Sequence, residues 1–543
     1  MLSKYFKIFS LIMLLAFGLA GCKKLDLAPT DRFSELNFWL YDQNVNNALN
    51  NVYGRMYSSQ YFFYNEALSD NAYTRLGISS GFPDVIASGI FTPTLARFLS
   101  EWDYYYTGIK AANIFLENVD QNTTLAPELK ERMKAEVRFI RAFHNFKLMS
   151  WWGDIPLLKK DITPDEAKTI ARTPRAEVLE FILSELDAAA AVLPTKSQYA
   201  QADLGRITKA AAKALKARVL LYEGDRMAEV AAICEDLMNN QAANGAYSLV
   251  PKYQDIFSPS NEHNSEVILD LQYVPTNRTH GEHIDFVPIS AGARGNNMAP
   301  TQELVDSYVM LNGKPITDAA SGYDPLDPYA NRDPRMDATI VHHLSKFKMA
   351  DGTEKTIYIK PGTDPDNARK DEYKQSGQGT ATGYYWKKYY DPTAVPAFSS
   401  GLNLIMIRYA EVLLMYAEAK QALGQMNEEV WNKTIRPLRA RAGFTDPAAL
   451  SYPGGDLTQL IRNERRAEFA MEGIRVDDIR RWGIAEDVMN GWAHGAQYED
   501  PSVDEGYIRA QLRTFDPSKH YLWPIPANEI GKNPNLTQNN NYQ

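Results

Sequence analysis

The chain has 543 residues and a formal net charge of −9, with 45% apolar and 23% charged residues. This composition is typical of a globular protein with a large core, and no basic run indicates a nucleic-acid partner. The two cysteines, Cys22 and Cys234, are too few for a disulfide scaffold. Cys234 shares a predicted helix face with apolar residues, so we expect a buried free thiol there.

The N-terminal residues predict export and attachment to a membrane. Two lysines precede an apolar run at residues 8–20, which is too short to span a bilayer and is typical of a signal peptide. The run ends in Leu-Ala-Gly followed by Cys22, a pattern that indicates cleavage and then acylation of the cysteine, for example with palmitate. We therefore predict a signal peptide over residues 1–21, lipid attachment at Cys22, and a polar tether over residues 22–37.

Residues 38–240 have the periodicity of paired helices. Amphipathic patterns cover residues 100–119, 128–154, 172–194 and 205–225. A loose template of small Ala residues followed by an aromatic residue recurs at residues 135–146, 211–225 and 409–424, as in tetratricopeptide-type hairpins. The sequence predicts a mainly α fold of tetratricopeptide-like helical hairpins, within one body over residues 38–543.

The periodicity fades over residues 241–402. Gly, Pro, Asn and Asp recur every few residues there, between brief apolar or aromatic runs. We predict a large irregular loop region with a few short strands, and we expect loops of this length to carry the ligand site.

The C-terminal region, residues 403–543, combines apolar helices with many charges. Residues 404–424 are apolar on nearly every side, which predicts an internal helix. Its charged residues, Arg408, Glu411 and Glu418, cannot be buried without partners. Residues 435–444 and 461–483 supply those partners, because the second stretch carries Glu464, Glu468 and Glu472 at i, i+4 and i+8 among six arginines. This pattern predicts a semi-buried ion network that holds helix against helix.

Three patterns could indicate catalysis or metal binding, but the residues around each of them do not support such a site. Residues 77–81 match the nucleophile elbow of hydrolases, but their surroundings, including Pro83, predict a loop. His280, Glu282 and His283 could bind a metal, but no further spaced ligands follow. The glutamate ridge lies on one helix face, whereas a glycosidase needs two carboxylates facing across a cleft. We therefore predict no catalytic residue, no cofactor and no metal.

Aromatic residues make up 11% of the chain, and many lie outside the predicted helices. Residues 59–82 interleave aromatic rings with polar groups, which suits the stacking of sugar rings and the binding of their hydroxyls. Burial of any one ring between helices and loops is the alternative. The ligand-site candidates, chosen on this chemistry alone, are Tyr61, Tyr64, Asp70, Asn71, Tyr73, Arg75, Phe82, Phe286 and Tyr323.

Ordered motifs recur along most of the chain. RYAEVLLMYAEA (408–419), RARAG (439–443) and NERRAEFAMEGIRVDDIRRWG (463–483) stand in the C-terminal region. Others are Cys22-x-x-Leu-Asp-x-x-Pro and residues 172–174, 205–215, 247–257, 265–273, 331–340, 382–392 and 521–542. In these motifs the chain resembles the SusD/RagB family of Bacteroidetes outer-membrane nutrient-binding lipoproteins, and residues 341–380 are the poorest match.

This resemblance implies an α-α superhelix and a non-enzymatic lipoprotein on the outer membrane, facing the cell exterior. It also implies a SusC-like TonB-dependent transporter as partner, over which the protein acts as a lid while it captures an oligosaccharide and passes it on. The alternatives are the same role with a peptide ligand, a lipid-anchored polysaccharide hydrolase, and a scaffold that binds only proteins. The family has no fixed ligand-site motif, so the resemblance assigns no ligand-binding residue.

The lipid anchor gives a first prediction. Cys22→Ala should leave the protein folded but released from membranes, because anchoring comes from acyl chains that contribute about 0.8 kcal/mol per buried methylene. Fractionation of cells in high salt, with immunodetection of the protein, measures this. A variant that still sediments with outer membranes would contradict the predicted attachment site.

Overall fold

Helices dominate the residues that the computed structural model describes, which are 37–75, 83–395 and 397–542. Cys22, the predicted signal peptide, the serine motif at residues 77–81 and Phe82 lie outside these residues. The described helices of seven or more residues are α1 (Asp42–Gly54), α2 (Ala96–Asn118), α3 (Pro127–Trp152), α4 (Arg175–Val192), α5 (Lys209–Glu223), α6 (Met227–Asn239), α7 (Tyr409–Ala422), α8 (Ile435–Ala442), α9 (Thr458–Phe469) and α10 (Arg475–Arg481). Shorter α-helices span Ser59–Tyr64, Pro83–Ser88, Pro164–Ala167, Gln241–Asn244, Gln302–Ser307, Pro334–Thr339, Glu428–Lys433, Pro447–Leu450, Ala485–Val488 and Ala527–Lys532.

The long helices pack in chain order, each against the next. Helix α3 lies between α2 and α4, α5 lies between α4 and α6, and α7 packs on α6 after the long irregular region. Helix α5 ends at Gly224, whose φ of 83° is a left-handed conformation that glycine adopts without strain. One cluster of buried apolar side chains extends from Trp39 to Leu536. The predicted mainly α fold of helical hairpins is confirmed.

The described strands are short and pair two by two. They are β1 (Ala72–Thr74), β2 (Val267–Leu271), β3 (Met298–Pro300), β4 (Ile340–Val341), β5 (Lys346–Lys348), β6 (Glu354–Thr356), β7 (Tyr385–Trp386), β8 (Leu404–Arg408), β9 (Gly491–Gln497) and β10 (Tyr507–Arg513). They form five antiparallel pairs, β1–β3, β2–β8, β4–β7, β5–β6 and β9–β10. The few short strands expected in residues 241–402 are confirmed.

One helix prediction is wrong at its start. Residues 404–408 form strand β8 and the helix begins only at Tyr409. All five residues of β8 are buried, and β8 pairs with the equally buried β2. An apolar run of this length fits a buried strand as well as a buried helix, and the pairing with β2 decides between them.

A buried ion network surrounds Arg408. Its guanidinium lies 2.7 Å from Glu266, 2.6 Å from Glu468 and 2.8 Å from Glu472. Burial alone would raise the pKa of Glu468, but Arg441, Arg408 and Arg335 hold it well below its ordinary value. Around this centre, Lys388 contacts Glu472 at 2.6 Å and Arg335 contacts Glu464 at 2.7 Å. The predicted network is confirmed, and its centre is fully buried.

Two details of that network differ from the prediction. Helix α9 ends at Phe469, and Met471 adopts a φ of 65°, so Glu472 reaches Arg408 from a turn and not from the same helix ridge. Glu418 does pair with Arg481 at 2.6 Å, as expected from residues 461–483. Glu411 instead pairs with Arg218 of α5 at 2.5 Å. The ion pairs therefore link α7 to the repeat helices as well as to α9 and α10.

Cys234 is completely buried in α6, as predicted. Burial raises the pKa of its thiol well above the ordinary value. The thiol therefore stays protonated and unreactive at neutral pH.

The Glu411–Arg218 pair generates a stability prediction. Glu411→Ala should lower the free energy of unfolding by roughly 3 kcal/mol, because it leaves a largely buried guanidinium without its carboxylate. Urea denaturation followed by circular dichroism measures the change. Glu429→Ala is the matched control, since Glu429 pairs with Lys433 on an exposed helix face, and its midpoint should stay near wild type. Equal midpoints for Glu411→Ala and Glu429→Ala would contradict the prediction.

Candidate functional site

Three of the predicted ligand-binding aromatics lie in the core. Residues 59–68 form an α-helix and a 3-10 helix, not a ligand-lining loop. Tyr61 is 7% exposed and Tyr64 is 1% exposed. Phe286 is completely buried, with its ring centroid 5.4 Å from that of Tyr64. These rings contact protein on all sides, so they pack the core and offer no face to a ligand.

Asp70 and Asn71 are also buried, and they position other parts of the molecule. Asp70 lies 2.8 Å from Arg475 and 2.9 Å from Arg466. Burial alone would raise the pKa of Asp70, but these two arginines hold it well below its ordinary value. The Asn71 side chain accepts a hydrogen bond from Arg466 at 2.7 Å and donates one to Glu66 at 2.6 Å. The polar groups are satisfied within the protein, so both residues are structural.

The segment around Asp70 holds two further elements. Thr301 donates its hydroxyl to the Asp70 carbonyl at 2.6 Å, and its backbone N–H donates to the Asn71 carbonyl at 3.0 Å. Thr301 is the N-cap of the helix Gln302–Ser307. Arg513, at the end of β10, donates to the carbonyls of Ser69 and Ala72, both at 2.8 Å. Helix and hairpin are therefore both docked on this segment.

The remaining described candidates, Tyr73, Arg75 and Tyr323, are all half-buried at the surface. Tyr73 lies in β1, opposite Ala299 of β3. Arg75 follows β1 and donates hydrogen bonds to the backbone carbonyls of Gly377 and Lys374. The guanidinium of Arg332 lies 5.6 Å from the Tyr323 ring centroid.

A line of tyrosines connects these candidates, and we call it the tyrosine belt: Tyr73, Tyr373, Tyr498, Tyr329, Tyr323 and Tyr507. Arg75 lies within electrostatic range of Tyr73, Tyr385 and Tyr373. The ring of Tyr373 is 6.4 Å from that of Tyr498, whose hydroxyl is buried. All six are half-buried except Tyr373, which is 8% exposed.

Tyr507 and Tyr323, in the second half of the belt, lie near an acidic side chain, Asp306. Burial and the nearby Asp306 carboxylate raise the pKa of Tyr507 to about 12, and the same two causes raise that of Tyr323. Tyr329 stacks on His342 with ring centroids 4.0 Å apart. Its hydroxyl lies 3.2 Å from that of Tyr384, which donates to Gln302 at 2.5 Å. The belt thus combines ring faces with fixed hydrogen-bonding groups.

Polar side chains from the helix Gln302–Ser307 border the belt. Asp306 accepts a hydrogen bond from Gln302 at 2.8 Å, and burial raises the pKa of Asp306. Glu303 contacts His494 Nδ1 at 2.7 Å, while Asp504 contacts its Nε2 at 3.0 Å. The hydrogen bond with Glu303 raises the pKa of His494, and Asp504 adds to the effect. The His494 imidazole, held between the carboxylates of Glu303 and Asp504, links this helix to the hairpin β9–β10.

The arrangement suits binding more than bond cleavage. The half-buried rings of the belt, which are all of its members except the buried Tyr373, offer flat apolar faces, and the amide and carboxylate groups beside them can donate to or accept from hydroxyls. Glu303 and Asp306 come from one turn of one short helix, and Glu303 is engaged by His494. They do not form the pair of opposed carboxylates that glycoside hydrolysis requires.

The other sequence-predicted pattern, His280 to His283, is buried beside Phe63. His280 Nε2 contacts the Leu402 carbonyl at 2.8 Å, and the two imidazole centroids are 5.1 Å apart. Burial lowers the pKa of both histidines. Across residues 37–75, 83–395 and 397–542, no three His, Cys, Asp or Glu side chains are grouped so that they could hold a metal ion.

A cleft of about 560 Å³ lies elsewhere, between α2 and the chain near residues 156–170. Its floor is apolar, with Trp102 and Tyr106, and its rim carries four lysines. Each of these lysines pairs with a carboxylate: Lys110 with Asp161, Lys160 with Glu166, Lys168 with Asp165 and Lys532 with Glu529. The rim therefore offers little free charge.

Tyr329, Tyr373, Tyr498 and Tyr507 were not among the sequence candidates. They are separated by up to 178 positions and share no spacing pattern, so no local signal marks them. One signal did exist for Asp70: residues 461–483 contain six arginines but only five acidic residues, which favours an acid from elsewhere as a further partner.

Comparison with known proteins agrees with this fold. The SusD family model matches residues 265–542, just over half of the chain, and a model described as starch-binding and associating with the outer membrane matches residues 25–221. SusD-like protein P25 of Formosa agariphila is 26% identical over 469 residues, covering 81% of this chain and 79% of its own. SusD-like protein P2 of the same organism is 25% identical over 99% of both chains.

A solved structure is also similar. The crystal structure of a SusD-like carbohydrate-binding protein from Bacteroides fragilis superimposes with a TM-score of 0.81 at 30% identity, over 92% of this chain and all of that one. In the part of the chain that the structure describes, no helix is both long enough and apolar enough to cross a membrane.

Proposed function

This chain belongs to the SusD family, and we propose that it captures glycans at the cell surface and passes them to a SusC-like TonB-dependent transporter. The observation that carries the binding step is the tyrosine belt, a line of half-buried rings bordered by amide and carboxylate groups. The description of the matching N-terminal family model, starch-binding and associating with the outer membrane, supports the same function.

A glycan suits the belt because its sugar units present both apolar C–H faces and polar hydroxyls. Each sugar ring presents C–H groups that stack on tyrosine faces and hydroxyls that hydrogen-bond to Gln302 and Asp306. A peptide ligand would need backbone partners, such as an open strand edge, or deep side-chain pockets. The hydroxyls of the belt and its bordering side chains favour an oligosaccharide over a peptide.

Attachment and handover complete the proposal. Cys22 carries acyl chains that anchor the protein to the outer membrane, and it begins the tether predicted over residues 22–37. The protein acts as a lid over the transporter: it binds the glycan when open and encloses it when closed. Binding is weak enough for release because the rings stay partly exposed to water, and the protein itself does not cleave the ligand.

The belt generates a binding prediction. Tyr323→Ala combined with Tyr507→Ala should weaken glycan binding by roughly 2–4 kcal/mol, the range for loss of aromatic anchors. The first measurement is the retardation of the protein in native gels that contain starch, laminarin, xylan or pectin. The second is calorimetric titration with oligosaccharides of the polysaccharide that retards the wild type most. The oligosaccharide should be recovered intact after incubation.

Two controls separate binding from folding. Tyr323→Phe with Tyr507→Phe keeps both rings, so it should retain most of the affinity if stacking dominates. Tyr64→Ala should instead lower the free energy of unfolding by roughly 3–5 kcal/mol, as expected for a large core aromatic, and with it the melting temperature. The affinity of the folded fraction should stay intact. Failure of all four polysaccharides to retard the wild type would contradict the glycan proposal, and full affinity in the double alanine variant would exclude the belt.

The lid role has its own test. We expect affinity purification of the tagged protein from outer membranes, in mild detergent, to recover a TonB-dependent transporter in comparable amount. Mass spectrometry identifies the recovered proteins, and an unrelated outer-membrane lipoprotein with the same tag is the control. Recovery of the intact protein alone, in several detergents, would contradict a stable partnership.

A further inference from the structure

The outer face of the hairpin β9–β10 carries a second aromatic surface, centred on Trp492. The Trp492 side chain is 39% exposed, an unusual position for the largest aromatic residue. Leu512, its partner across the hairpin, is 56% exposed. Neither residue belongs to the tyrosine belt.

Arg509 holds the indole in place. Its guanidinium carbon lies 5.4 Å from the Trp492 ring centroid, in a cation–π contact. Arg509 Nε also contacts Asp504 at 2.8 Å. Because one side chain ties the indole to the hairpin, its orientation is partly fixed before any ligand arrives, which lowers the entropy cost of binding.

Short contacts lead from Trp492 to the belt. Asp504, which binds Arg509, also contacts His494 Nε2 at 3.0 Å. The His494 ring lies 5.9 Å from the Tyr507 ring, the last member of the belt. Trp492 and His494 are two residues apart on β9, so their side chains share a face and are separated by about 7 Å along the strand.

We propose that Trp492 and Arg509 form an outer subsite for the same glycan chain that occupies the tyrosine belt. The indole stacks on a sugar ring beyond those held by Tyr323 and Tyr507, and the exposed guanidinium donates to its hydroxyls. This inference rests on the proposed function. It makes affinity depend on ligand length, since only a chain longer than the belt reaches Trp492.

The surface favours a glycan over a protein partner. A stable protein interface buries on the order of 1,000 Å² around an apolar centre. Here Trp492 and Leu512 are the apolar residues, and Arg509, Asp504 and His494 are charged or titratable neighbours. Single aromatic rings between hydrogen-bonding groups, continuous with the belt, suit successive sugar units.

The test compares Trp492→Ala with wild type across a di- to octasaccharide series of the polysaccharide that retards the wild type most. We expect unchanged affinity for the shortest oligosaccharide that binds and about tenfold weaker affinity for the longest. Trp492→Phe should restore part of the loss. Leu512→Ala, the exposed residue opposite, is the control and should bind all lengths as wild type does. The melting temperature of each variant should match that of the wild type, because the substituted side chains are exposed. Thermal melts therefore exclude unfolding as the cause of a lost affinity.

The outcomes distinguish this inference from the function on which it rests. Equal affinity of Trp492→Ala and wild type for every length overturns the subsite, even where the belt variant has lost binding. An equal loss for short and long oligosaccharides also overturns it, since the effect would then act through the belt. Loss of transporter recovery with unchanged glycan affinity would assign Trp492 to a protein interface. If no polysaccharide binds the wild type, both proposals fail.

Discussion

The structure depends on one constraint: a guanidinium buried at Arg408 must be neutralised by carboxylates that come from distant parts of the chain. Glu266 precedes β2, Glu468 lies in α9, and Glu472 follows α9. Removing any one partner would leave a buried charge unpaired, at a cost of several kcal/mol. The net contribution of such a network to stability is small, because desolvation offsets most of the attraction. The network instead raises the free energy of alternative packings of these segments well above that of the native one, because those packings would leave buried charges unpaired.

The same constraint extends to the candidate site. Arg466 and Arg475, beside the central network, bind Asp70, and the Asp70 segment in turn holds Thr301 and Arg513. Thr301 begins the helix that carries Asp306, and Arg513 ends the strand that begins with Tyr507. The strand that begins with Tyr507 and the helix that carries Asp306 are therefore both held in place by a segment that buried ion pairs fix. A site built in this way can keep its rings partly exposed without losing their relative positions.

The sequence predicted the helices and the ion network, because both leave local signals. Periodicity marks the repeat helices, and the charges within apolar helices of residues 404–483 require partners wherever they lie. The strand at residues 404–408 could not be distinguished from a helix, since an apolar run of five residues fits both and its partner is 130 residues away or more. The sequence candidates include only two members of the belt, Tyr73 and Tyr323, while the candidates Tyr61, Tyr64 and Phe286 have the same chemistry and pack the core. Composition cannot separate these groups, because burial is decided by tertiary contacts.

The ion-network residues and the belt tyrosines differ in where they lie in the sequence, and this difference bears on why the candidate ligand site carries no motif. Arg335, Lys388, Arg408, Arg439, Arg441, Glu266, Glu468 and Glu472 all lie within the motifs through which the chain resembles the SusD/RagB family. Tyr73, Tyr323, Tyr329, Tyr373, Tyr498 and Tyr507 all lie outside them. A change in the first set leaves a buried charge unpaired and damages the fold. Apart from the buried Tyr373, a change in the second set alters a half-buried ring, and substitutions at partly exposed positions usually cost less stability than those that unpair a buried charge. Ligand preference can therefore change while the fold and its motifs stay the same, so a shared fold does not specify which glycan is bound.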